Sequence, residues 1–158
     1  PLPKSQMDRF MMRLHIGYPA LADEMTVLRE QKSSGGPDAL QPVVSAETVI
    51  GWQSEVEQVT VNDALLEYLA RIVQATRESS SVVLGASTRA ALALRKAAQG
   101  RAWLNGRNYC IPDDIKSLVL PVLAHRIIVK ENVDPAGFHH EQESRTLKQL
   151  LAKIQVPL

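Results

Sequence analysis

From Ser45 onward, apolar side chains recur three and four positions apart, and each such stretch stops where a capping or stop residue stands. That pattern commits most of the chain to packed helices. Ser45 caps a first helix to about Glu57, with Val49, Trp52 and Val56 on one stripe. Val59 and Val61 form a short extended break. Asn62 caps a second helix to about Glu78. Leu65, Leu69, Ile72 and Thr76 line its buried side, Leu66 and Val73 lie beside them, and Glu67, Arg71 and Arg77 are left for solvent. A third helix, from near Ser87 to about Asn105, is rich in alanine. It forms readily and lets a neighbour approach closely. Gly106 is its left-handed stop. A fourth helix starts at Pro112, with Asp113 and Asp114 at the positive end of its dipole, and runs to about His125. Pro121 should bend or divide it, having no N–H for the carbonyl four residues back. His125 to Val133 leans toward strand through Ile127, Ile128 and Val129, 134–137 is a turn, and a last helix covers about Gln142 to Ile154, carrying Leu147, Leu150 and Leu151.

The first third reads differently. Residues 5–10 make a short helical turn. Phe10, Met12, Leu14 and Ile16 then alternate with Met11, Arg13 and His15, the period of a short strand. Gly17-Tyr18-Pro19 stops it, and a helix from Leu21 to Gln31 follows, with Leu21, Met25 and Leu28 on one face. Ser33-Ser34-Gly35-Gly36-Pro37 is the clearest linker. The expected architecture is mainly α. A small helical bundle over 35–158 is preceded, over 1–34, by a helix-strand-helix piece of an α/β layer.

Composition removes several classes of function. With 18 basic and 17 acidic side chains the net charge is +1, so the broad positive field of a nucleic-acid binder is missing. The acidic Asp113-Asp114 start of the one plausible recognition helix also argues against a helix-turn-helix DNA binder. No apolar run approaches the roughly 20 residues that span a bilayer, and Pro1-Leu2-Pro3-Lys4 is not a secretory signal. A single cysteine, Cys110, excludes an internal disulfide and fits a reducing, cytoplasmic setting. His139-His140-Glu141 has no further ligand nearby and does not make a metal site. Aromatics are only 4%, so Leu, Val, Ile and Ala must build the core.

Two arginines stand out. Arg89, in the first turn of the alanine-rich helix, opposes the helix dipole at a cost of roughly 0.3–1 kcal/mol unless an anion is near. Free N–H groups there suit a phosphate. The two readings are an arginine reaching for a nucleotide phosphate and an exposed arginine paired with a surface carboxylate. Arg9 sits at a corner between a helical turn and the expected strand. It is either presented to another subunit or paired locally with Asp8 or Asp23.

The segments carrying these arginines bear a resemblance. Pro1-Leu2-Pro3-Lys4-Ser5-Gln6-Met7-Asp8-Arg9-Phe10 is similar to the segment after sensor 1 in AAA+ ATPases of the MoxR family. Leu40-Gln41-Pro42-Val43 with Ser45-Ala46-Glu47 resembles the start of that family's lid, and Leu84-Gly85-Ala86-Ser87-Thr88-Arg89-Ala90 resembles its sensor 2 motif. Gly106-Arg107-Asn108-Tyr109, Pro112-Asp113-Asp114-Ile115-Lys116 and Val122-Leu123-Ala124-His125-Arg126 resemble its closing signature. The ordered set spans nearly the whole chain. The family usually has proline where Thr88 stands, and a capping Thr or Ser where Ile111 stands; losing such a cap typically costs about 1 kcal/mol.

The resemblance implies a ring-forming, hexameric ATPase that remodels or matures client complexes, with von Willebrand factor A domains among its partners. It implies that Arg9 is the arginine finger, a catalytic residue acting on a neighbour's γ-phosphate, and that Arg89 is the nucleotide-binding arginine of sensor 2. ATP and Mg²⁺ would be the cofactors. The chain contains no Gly-x-x-x-x-Gly-Lys-Ser/Thr segment to cradle phosphates. By resemblance that loop and the magnesium-holding acids lie upstream of residue 1, so the chain reads as a C-terminal piece, inactive alone. The rival reading is a helical protein-interaction module with no enzymatic role.

Overall fold

A computed structural model of the chain describes residues 4–30, 40–130 and 139–157. The elements in chain order are α1 Lys4–Met7, α2 Leu21–Glu30, α3 Ala46–Gln58, α4 Asp63–Glu78, β1 Val82–Leu84, α5 Thr88–Leu104, α6 Pro112–Leu123, β2 Ile128–Val129 and α7 His139–Leu151. The expected class is the observed one: a small helical bundle with a minor two-stranded sheet. The chain divides into two compact units, Pro1–Arg13 with Gln53–Leu158, and Leu14–Trp52.

In the larger unit α5 lies against α4 and α6, and α7 against α4 and α6. Ala90, Leu94, Ala97, Ala98 and Ala102 form the buried stripe of α5. Four of these are alanines, which lets α6 come close with Ile115, Val119, Val122 and Leu123, all fully buried. From α4 come Leu65, Tyr68, Leu69, Ile72, Val73 and Thr76, and from α7 comes Leu147. Tyr68 adds to the stripe read from spacing.

The ends of these helices lie where their sequence signals stand. Asn62 Oδ1 accepts the Leu65 N–H at 2.9 Å, and Ser87 Oγ accepts that of Ala90 at 3.2 Å. Gly106 takes φ +70°, the left-handed conformation that ends α5. At Ile111 the missing hydroxyl is partly replaced: the Asp114 carboxylate accepts the Ile111 N–H at 2.9 Å and is held by both Nη atoms of Arg107 at 2.7 Å. Burial pushes the Asp114 carboxyl up, but the Arg107 and Ile111 hydrogen bonds outweigh it and hold the group below the usual carboxylate range.

Several expectations need correction. The period-two segment over 10–16 forms no strand. A strand needs a ladder partner, and none pairs with it among the described residues. The Arg13 N–H instead donates to the Pro121 carbonyl at 2.8 Å, and only Met12 of the alternating set packs on the core. Pro121 does not divide its helix, because it lies in the last turn of α6, which continues to Leu123. Strand β1 was not expected. It pairs antiparallel with β2, Val82 opposite Val129 and Leu84 opposite Ile128. Helix α7 starts earlier than expected, at His139. The linker at 33–37 and the turn at 134–137 lie outside the described residues, as do the side chains of His139 and His140.

The smaller unit contains α2 and the greater part of α3. Leu21, Val27 and Leu28 of α2 are 75%, 65% and 70% exposed, so its apolar face is uncovered among the described residues.

Candidate functional site

The turn that enters α5 is seated on the end of α4. The Ala86 N–H donates to Thr76 Oγ1 at 2.9 Å, and the Ala86 carbonyl accepts Arg77 Nε at 2.8 Å. Glycine is required at position 85, because a Cβ there would stand 2.7 Å from Arg77 Cα. Two residues later Ser87 caps the helix, and Arg89 projects from its first turn into solvent.

The turn after α1 is brought to the same place. Ser87 Oγ lies 3.1 and 3.3 Å from the two Asp8 carboxylate oxygens, so it accepts from the helix and donates to Asp8. The carboxylate thereby lies at the positive end of α5. Its other neighbour is Arg126, whose Nη1 is 3.7 Å from Asp8 Oδ1. Arg126 lies just beyond α6 with a side chain only 1% exposed. Nη2 donates to the carbonyls of Phe10 and Met11, and Nε lies 3.3 Å from His125 Nε2, which is itself 3.2 Å from the Phe10 carbonyl.

One buried cation, Arg126, thus faces the Asp8 carboxylate. Burial works against the Arg126 charge, Asp8 supports it, and Arg89 opposes it, so Arg126 is pulled below the ordinary arginine value. Burial likewise lowers His125. The Phe10 carbonyl opposes that shift, and the charge of Arg126 reinforces it.

Arg9 is exposed on the turn whose backbone is held by Arg126, with its N–H on the Gln6 carbonyl at 3.2 Å. Among the described residues neither the Arg9 nor the Arg89 guanidinium makes an ion pair. Asp8, offered by the sequence as a local partner for Arg9, is turned to Ser87 and Arg126 instead. The structure therefore brings together the two segments that carry the singled-out arginines. Arg9 and Arg89 face solvent, where they can meet an anion, and Arg126 is buried behind the Arg9 turn.

Arg126 is the residue the sequence reading undervalued. The sequence reading placed it within the closing signature, whereas its contacts are with backbone 115 and 116 residues away. A polar pair, His125-Arg126, shortly after the buried Val122 and Leu123 was the available signal. Cys110 is buried and free, with its thiol pushed up to about 11 by burial, and it lies apart from this cluster. No group of metal-ligating side chains occurs among the described residues, and no helix there is long and apolar enough to cross a membrane.

Comparison with known proteins points to one family. A family model described as AAA lid domain matches residues 74–149. The whole chain is 40% identical to YeaC, an uncharacterized protein of Bacillus subtilis, and covers 48% of it. Chaperone MoxR1 of Mycobacterium tuberculosis is 32% identical over 138 residues, 82% of this chain and 36% of its own length. Protein MoxR of Paracoccus denitrificans is 28% identical over 153 residues. The crystal structure of a candidate ATPase from Cytophaga hutchinsonii covers the whole chain with a TM-score of 0.83 at 32% identity, over 50% of that structure. The chain spans about half the length, or less, of the relatives it matches.

Proposed function

Since the chain carries the lid domain of AAA+ ATPases and is homologous to MoxR-family proteins, we propose that it supplies two arginines to ATP hydrolysis in a ring. Arg9 is the arginine finger, reaching the γ-phosphate held by the neighbouring subunit. Arg89 is the sensor 2 arginine, binding the nucleotide from the lid. Residues 1–34 are the end of the ATPase core and 35–158 the lid, a division that the lid match over 74–149 supports on its second side.

One observation carries this reading: the Asp8–Ser87 hydrogen bond fastens the Arg9 turn to the start of α5 while both arginines face solvent without a described partner. Such a pairing makes chemical sense for phosphoryl transfer. Charge grows on the transferring group, and fixed guanidinium groups stabilise it; a finger is worth roughly 10³–10⁵ in rate. ATP and Mg²⁺ are the cofactors of the whole protein. Mg²⁺ would supply charge neutralisation at the phosphates, and this chain's own part is to orient Arg9 and Arg89. Hydrolysis would be coupled to chaperone-like remodelling of client proteins, those with von Willebrand factor A domains among them, in a cytoplasmic ring of six.

The test uses full-length protein that includes a phosphate-binding loop. Arg9→Ala should abolish hydrolysis with ATP binding intact. Arg89→Ala should weaken nucleotide binding as well as turnover. Mixing Arg9→Ala with a subunit lacking the phosphate-binding lysine should restore part of the activity, because some interfaces then combine an intact finger with an intact pocket. Near-normal turnover by Arg9→Ala in assembled rings would reduce Arg9 to a surface residue and favour the interaction-module reading.

A further inference from the structure

We propose that Arg126 is a positioning residue for Arg9: it holds the Asp8–Met11 turn against the start of α5, so that Arg9 and Arg89 are presented in one fixed register. This rests on the reading of Arg9 as a finger. The argument starts from cost. A guanidinium buried to 1% exposure is expensive and is retained only where it is well bonded. Arg126 uses Nη2 on two consecutive backbone carbonyls, Phe10 and Met11, while Nη1 makes no hydrogen bond and is offset by the Asp8 charge at 3.7 Å. Those three residues flank and follow Arg9.

Backbone carbonyls are acceptors that any sequence presents, so this grip sets the path of the turn whatever side chains it carries. Asp8 then closes the arrangement by accepting from Ser87, the cap of the helix that bears Arg89. Arg126 is too buried to reach a nucleotide and acts through the turn. A mobile finger would spend much of its time out of line, and a misplacement of about 1 Å can cost about 10²-fold in rate.

The experiment compares Arg126→Met, Arg126→Lys, Asp8→Asn and Arg9→Ala in assembled full-length protein. It measures steady-state ATPase, equilibrium ATP binding and amide hydrogen exchange. Arg126→Met should lower kcat by about 10–100-fold, leave the ATP dissociation constant within about twofold, and speed exchange over residues 8–13 with α4 and α6 unchanged. Arg126→Lys, which keeps the charge but loses the fork, should fall between it and the wild type. Asp8→Asn keeps the two carbonyl bonds and decides the matter should Arg126→Met fail to fold; its kcat should drop with ATP affinity retained. Full turnover by a folded Arg126→Met or by Asp8→Asn, alongside an inactive Arg9→Ala, would overturn the proposal and leave the finger reading standing. Unchanged exchange over 8–13 in folded Arg126→Met would also overturn it. Normal turnover by Arg9→Ala would instead sink the finger reading, and the positioning role with it.

Discussion

Helices α2 and α4 both carry an apolar face readable from spacing, yet they end in different circumstances. Helix α4 buries six side chains, Leu65 to Thr76, in the core of the larger unit. Helix α2 leaves Leu21 and Leu28 at 75% and 70% exposure. Periodicity therefore reports that a helix forms and which face is apolar. Whether that face is covered depends on what else folds beside it, which no local pattern contains.

That contrast can be broken by substitution. The largest effect belongs to the core: Leu94→Ala, at a fully buried position, should cost about 3 kcal/mol, whereas Leu28→Ala should stay within about 0.5 kcal/mol. Urea unfolding of both variants measures the difference. Equal losses would mean that α2 is covered in solution and that the contrast is false.

Glycine offers a comparison in which the sign changes. Gly85→Ala pushes a Cβ to 2.7 Å from Arg77 Cα and should destabilise by about 2 kcal/mol. Gly51→Ala, inside α3 with nothing within 4 Å of the added carbon, should stabilise by up to about 1 kcal/mol through helix propensity. Thermal melts of the two variants should move in opposite directions.

A smaller effect concerns the replaced cap of α6. The Asp114 carboxyl sits lower in the folded chain than in the unfolded one. As pH falls, the unfolded state takes up the proton first. The contribution is therefore complete above the ordinary carboxylate value of about 4 and is lost as pH drops below it through the depressed folded one. Asp114→Asn should flatten that acid limb of the urea midpoint. An unchanged limb would mean that Arg107 does not hold this carboxylate in solution.

The smallest effect sharpens the site itself. Burial lowers His125, so the folded state favours its neutral form. Stability from this group is complete above about pH 6.5 and declines as pH falls through the folded value. His125→Gln should remove the part of the slope that sets in as pH falls below about 6.5. A wild-type slope in the variant would assign it to other groups.

Much of the bundle was legible because its signals are local. Asn62 and Ser87 start helices through their own side chains and Gly106 stops one through its φ angle, so α4 and α5 begin and α5 ends as read. The strand over 10–16 was misread because alternation is necessary but not sufficient: a strand also needs a partner, and the Arg13 N–H found a carbonyl on α6 instead. Strand β1 was missed because three residues after Ser79-Ser80-Ser81 carry no period of their own.

The candidate site divides in the same way. Arg9 and Arg89 were conspicuous, one at a corner and one against a helix dipole. The bonds of Ser87 and Arg126 to the Arg9 turn were not, since they cross 79 and 116 residues.

The two-stranded sheet has a consequence for how such sequences can drift. Strand β1 leads directly into the Gly85-Ala86-Ser87 turn, and β2 begins two residues after Arg126, so the ladder joins the approaches to two of the three arginines. A change of bulk at Val82 alters the spacing to Val129 and is transmitted to both approaches at once. In lineages that keep the arginines, substitutions at 82 and 129, or at 84 and 128, should therefore arrive in pairs, while the exposed side chain of Val83 varies on its own.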